Sequence, residues 1–163
     1  MAVAEIIGAA VGVLLLVIVA YLIVGGTLSV AETVATAQKD VTIQNEARMR
    51  TSMDLDKSEI VITGSGLNFS VVNTGDEIIS DFDHIDLYTT DSAGMAYQRY
   101  TYNVTKKGTA GTWSLLRIDA DYIHPGQIDP GEKAWFWATF SGSSPAWVQV
   151  TTANGVYAQT TFP

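Results

Sequence analysis

The stretch "EIVITGSGLNFSVVNTG", Glu59–Gly75, alternates apolar and polar residues and is cut by glycine. In its second half Leu67, Phe69 and Val71 fall on every second position, with Asn68 and Ser70 between them. A period of two puts successive side chains on opposite faces, so this is the pattern of a half-buried β-strand. Leu67, Phe69 and Val71 are expected in a core, and Asn68 and Ser70 in water. Gly64-Ser65-Gly66 and Asn73-Thr74-Gly75 bound the run with residues that accept turn conformations at little steric cost.

The same texture extends to the C-terminus. "HIDLYTT", "MAYQRYTYNV", "WSLLRI", "AWFWATF", "AWVQVTT" and "VYAQTTF" each read as a strand, separated by Asp91-Ser92-Ala93-Gly94, Asp129-Pro130-Gly131 and Asn154-Gly155. With "EIVIT" and "LNFSVVN" this makes seven or eight short strands, which predicts an antiparallel β-sandwich head of immunoglobulin-like type over 57–163. Ile85 and Leu87 are expected inside, His84 and Asp86 outside. "AWFWATF" departs from simple amphipathicity: Phe136 and Phe140 take one face, Trp135 and Trp137 the other. Either the strand is covered on both sides or the two tryptophans form a partner surface.

Before the head the chain changes character. Ile6 to Ala31 carries no charge over 26 residues. A signal peptide needs a basic n-region and an apolar core of about 7–15 residues; "MAVAE" has neither Lys nor Arg, and the run is too long. As a helix it would measure about 39 Å against a hydrocarbon core of about 30 Å, so residues 1–26 are expected to be a transmembrane helix. Ala4, Gly8 and Gly12 recur every four residues and would form a small-residue stripe for helix–helix packing. Residues 27–56 read as a helical stalk, with a bend at Gly25-Gly26 and a thin apolar stripe of Val30, Val34, Ala37 and Val41. So narrow a stripe calls for self-association or a partner helix. Lys39, Arg48 and Arg50 all follow the apolar run, so the positive-inside rule taken alone would keep the head in the cytoplasm.

Composition narrows the chemistry. From Asp54 onward there are 13 acids and six bases, and the whole chain has formal charge −8. A head of that sign repels phosphate backbones, so no nucleic-acid partner is expected. There is no cysteine, hence no disulfide framework and no thiolate metal site. The two histidines, His84 and His124, belong to no catalytic pattern, and no phosphate-binding, dinucleotide-binding, zinc-protease or nucleophile-elbow motif occurs. The chain is expected to be no enzyme and to need no cofactor. "SDFDHID" offers Asp81, Asp83, His84 and Asp86 as hard ligands, but without an EF-hand spacing, and no metal is expected. Asn68-Phe69-Ser70 and Asn103-Val104-Thr105 are N-glycosylation sequons, usable if the head is extracellular.

The apolar helix "MAVAEIIGAAVGVLLLVIVAYLIVGGTLS", the polar stretch "AETVATAQKDVTIQNEARMRTS" and a head with "LNFSVVNTGDEIISDFDHIDLYTTD" and "IDPGEKAWFWATF" together resemble the archaeal flagellar (archaellum) accessory proteins of the F and G type, the F type more closely. The resemblance implies a single-pass protein of the archaeal cell membrane with its head beneath the S-layer. It implies a stator role, with S-layer protein, a copy of itself and the G-type accessory protein as partners. The wider superfamily also holds archaellins and pilins, whose N-terminal helices form a filament core, and this is the alternative. Such subunits normally carry a basic pre-sequence, whereas no base precedes Lys39 here. A third reading makes the head a glycan-binding module in which Trp135 and Trp137 stack on sugar rings.

Overall fold

The computed structural model describes residues 2–91, 94 and 97–162. It divides into two compact units, one running through Gln44 and the other Asn45–Pro163.

Helix α1, Ala2–Arg50, runs unbroken through Gly25-Gly26. Beside the glycine pair Thr27 Oγ1 donates to the Ile23 carbonyl at 2.8 Å, and Thr33, Thr36 and Thr42 back-bond their i−4 carbonyls in the same way. These bonds keep the threonines compatible with helix. α1 is long and apolar enough to cross a membrane, and none of its most apolar window is buried against the rest of the chain. Val30, Val34 and Val41 are also exposed.

The helix ends at Arg50, short of the expected 56, and Met53–Leu55 is a strand, β1. Met53 and Leu55 are buried on either side of exposed Asp54, a period-two pattern that a helix cannot bury. Asp56 then accepts a hydrogen bond from Ser58 N at 2.8 Å and caps a 3-10 turn over Lys57–Glu59.

The remaining strands are β2 (Val61–Thr63), β3 (Gly66–Asn73), β4 (Asp86–Asp91), β5 (Tyr97–Tyr102), β6 (Thr112–Asp119), β7 (Lys133–Thr139), β8 (Pro145–Thr151) and β9 (Tyr157–Thr161). Each run named from the sequence overlaps one of them, to within a residue at either end or with a few residues to spare. The start of "MAYQRYTYNV" and the middle two residues of the Asp91–Gly94 turn lie outside the described residues.

One layer of the sandwich joins β1 and β2 to β3, then β7 and β6; the other joins β4, β8 and β9. β5 serves both, antiparallel to β4 over Tyr97–Tyr100 and then parallel to β6 at Thr101 and Tyr102. That short stretch is the parallel exception to the otherwise antiparallel ladder. Between the layers Leu67, Phe69, Val71, Ile85, Leu87, Trp113, Phe136, Val148 and Val150 form the core. Phe69 meets Phe136 edge-on at 5.6 Å, and Trp113 stacks at a tilt 4.9 Å from Phe136, geometries that aromatic quadrupoles favour.

The last turn of α1 belongs to the head unit and is bonded into it. Asp76 N donates to the Arg50 carbonyl at 2.8 Å, and Thr74 N and Gly75 N both donate to Ser52 O at 3.0 Å. Asn154 Nδ2 donates to Thr51 Oγ1 at 2.6 Å, and that hydroxyl donates to Ala47 O at 2.8 Å. Carbonyls that a helix C-terminus leaves open are thus satisfied by the head. The turn is held in turn by Asn73, fully buried, whose Nδ2 donates to Glu77 O and Ile128 O at 2.8 and 2.9 Å, while its Oδ1 accepts Gly75 N at 3.1 Å.

Candidate partner surface

β7 carries Trp135 and Trp137 on the face turned away from the core, because Ala134, Phe136 and Ala138 take the inward positions. Both indoles are half-buried. Trp137 lies across Gly66 of β3 so closely that a Cβ there would stand 1.8 Å from its ring. Only glycine admits the ring at that point. Trp135 is opposite Ser70 on β3 and Arg117 on β6.

Three cations crown this face. Lys107 Nζ lies 4.6 Å from the Trp137 ring centre, Arg117 4.9 Å and Lys133 Nζ 6.0 Å from that of Trp135, distances at which a cation is attracted to the ring face. Arg117 also pairs with Asp119 at 3.1 Å, and Asp119 accepts the Trp135 indole N–H at 2.8 Å. Lys133 donates to Glu59 at 2.6 Å, and the Ser70 hydroxyl donates to the other oxygen of that carboxylate. The hydrogen bond from Lys133, followed by that from Ser70, holds the Glu59 carboxyl below the usual carboxylate range. The same contact raises Lys133 above the usual amine range. Lys107 has no carboxylate partner among the described residues. An aromatic floor under one uncompensated cation is a surface suited to a partner with acidic and planar groups.

Ser70, expected in water, is 0% exposed, and Asn68 is half-buried. Both do face away from the core, but Trp135, Trp137 and the Lys57–Glu59 turn cover that side of β3. Asn103 stands elsewhere, in the exposed connection after β5.

Gly8 and Gly12 are open, with no atom of another residue where a Cβ would be, and Ala4 is exposed. They sit on α1 with no second α-helix against them among the described residues. The acidic cluster disperses into pairs: His84 Nδ1 with Asp81 at 2.8 Å, and Asp86 with Arg99 at 2.7 Å. Its hydrogen bond to Asp81 raises the His84 pKa. Among the described residues no three His, Asp or Glu converge as metal ligands.

A second exposed feature was not singled out from the sequence. Tyr122 and Ile123, 86% and 73% exposed, form the tip of the loop between β6 and β7. The loop is built rather than loose. Asp121 accepts Gly126 N at 2.9 Å, and buried Asp129 accepts His124 Nδ1 at 2.8 Å and His124 N at 3.1 Å. The signal was "DYIHPG", an aromatic and an isoleucine set in turn residues.

No family model matches the chain, and no curated protein matches it. Solved structures do. The archaellum periplasmic stator protein FlaG from Sulfolobus acidocaldarius superposes with a TM-score of 0.52 at 18% identity, over 69% of this chain and 99% of that one. A chain of the archaellum periplasmic stator protein complex FlaF and FlaG from the same organism superposes with a TM-score of 0.51 at 20% identity, over 68% of this chain and 87% of that one. At these identities the likeness is one of fold, and it agrees with the sandwich expected from the strand pattern.

Proposed function

We propose that the chain is a non-enzymatic structural component of the archaeal motility machinery, a membrane-anchored part of the archaellum stator whose head grips S-layer protein. The observation that carries this is the pairing, on one chain, of a membrane-length apolar helix with a head of the stator-protein fold. α1 would hold the chain in the cell membrane as a single pass with the head outside, beneath the S-layer. A part that resists torque must transmit it, and the hydrogen bonds around Arg50, Thr51 and Ser52 give the last helical turn a firm seat in the head. The Trp135–Trp137 face is the proposed S-layer contact, since rigid half-buried aromatics beside cations carry binding energy at little cost in side-chain freedom. The small-residue face of Ala4, Gly8 and Gly12 and the exposed valines of α1 are proposed to meet a second copy or a G-type accessory chain.

The test is capture of S-layer protein by the full-length chain in detergent. Retention that weakens in Trp135→Ala and Trp137→Ala, with the fold intact, supports the reading. Absence of capture, or capture indifferent to both substitutions, contradicts it. Retention on a glycan array lost in Trp135→Ala would favour a sugar-binding module instead.

A further inference from the structure

Both sequon asparagines are half-buried, but what surrounds them differs. Asn68 is in the middle of β3, with Val61 of β2 and Trp137 of β7 as its neighbours on either side. Its Oδ1 is buried without a hydrogen bond from the described residues. Ser70, the hydroxyl residue of that sequon, is 0% exposed and its Oγ is committed to Glu59. An enzyme that must reach the asparagine amide and the hydroxyl two residues on finds the asparagine half-buried within a doubly paired strand and the hydroxyl out of reach.

Asn103 is one residue past β5, anchored by its backbone N–H to Trp113 O at 2.8 Å. Its side-chain Oδ1 accepts the Thr105 N–H at 2.8 Å, which curls the tripeptide into a turn. That bond uses the carboxamide oxygen and leaves Nδ2 without a partner among the described residues. Gly108 keeps the neighbouring space open, since a Cβ there would approach Nδ2 to 3.2 Å. Val104 and Thr105 are exposed.

We infer that Asn103, and not Asn68, is an N-glycan acceptor of this chain. Nδ2 of Asn103 would attack the anomeric carbon of a lipid-linked glycosyl phosphate or pyrophosphate. The N–C bond forms as the bond from that carbon to the phosphate oxygen breaks; Nδ2 gives up a proton and the lipid phosphate leaves. The inference rests on the head lying outside the membrane, where such transfer would meet it.

The experiment compares full-length chains isolated from native membranes by intact mass and by glycopeptide mass spectrometry. The expected result is a glycan on Asn103 alone. It is lost in Asn103→Gln and in Thr105→Ala, which keeps the asparagine, and is unchanged in Asn68→Gln. Because the chain has no cysteine, Ser143→Cys in an exposed loop reports topology through a membrane-impermeant maleimide added to whole cells. A labelled head with bare Asn103, or with a glycan on Asn68, overturns the inference and leaves the outward head standing. An unlabelled head with no glycan overturns both.

Discussion

Gly75→Ala tests whether the helix exit is seated in the head as firmly as its hydrogen bonds imply. Gly75 does not occupy the left-handed region, so alanine suffers no conformational penalty there; the obstacle is proximity. A Cβ at this position would lie 2.4 Å from Arg50 O and from Ser52 N, both backbone atoms that cannot swing aside. Relief requires the Asn73–Gly75 turn and the Arg50–Ser52 segment to separate by close to an ångström. That separation breaks or weakens the bonds from Thr74 N and Gly75 N to Ser52 O and from Asp76 N to Arg50 O. At about 0.5–1.5 kcal/mol each, the three bonds put the loss near 2–4 kcal/mol. For a head of this size that corresponds to a fall of roughly 6–20 °C in Tm. The assay is thermal unfolding of the full chain in detergent, followed by near-ultraviolet circular dichroism of the head tryptophans. Gly155→Ala is the control: its φ is +81° but its surroundings are open, so it should lose only about 1 kcal/mol from backbone strain. A Gly75→Ala variant that melts within about 2 °C of wild type would show that the turn takes up the methyl group without losing these bonds.

Asn73→Asp replaces the two buried amide donors to Glu77 O and Ile128 O with a carboxylate facing carbonyls, and should cost about 3 kcal/mol or more in denaturant unfolding; a loss under about 1 kcal/mol contradicts the role assigned to that side chain. Glu59 titrates below its ordinary 4.5 in the folded head, so its contribution is complete above that value and fades as pH falls through the depressed one. Wild type should therefore exceed Glu59→Gln in Tm at neutral pH and converge on it in acid, and a gap undiminished in acid would show that the Lys133 contact is not its source. Lys107→Glu removes one exposed cation–π contact, about 0.5–1 kcal/mol of stability, yet should clearly weaken capture of S-layer protein; unchanged capture would take Lys107 out of the partner surface.

Much of the head was legible because each strand carries its own alternation and its own turn residues. β3 is the clearest instance: Leu67, Phe69 and Val71 are where the period puts them. Alternation reports the face of a sheet and not what covers it, so Ser70 was expected in water although the far side of β3 is roofed. That roof comes from Glu59, Trp135, Trp137 and Lys133, which adjoin it only through strand pairing. β1 was hidden for a similar reason. Three residues hold too little pattern to stand against the helical run before them, and Met53–Leu55 is a strand because β3 is there to pair with it. Nor does the text around Arg50 contain a helix stop, since neither Gly nor Pro occurs near it. The stop is tertiary, supplied by Asp76 and the Gly75 turn. The tryptophan face was visible as a pattern, while its cations come from the β5–β6 connection, β6 and β7 and could not be assigned to it in advance.

On the function proposed above, this chain is an anchored part of the motor and not a subunit of its filament. Native cells separated into sheared surface filaments and remaining envelope, with the chain quantified by mass spectrometry in each, test it directly. The expected result is a scarce chain confined to the envelope. A chain abundant in the filaments would mean that α1, through its Ala4, Gly8 and Gly12 face, is filament core and not an anchor of the motor.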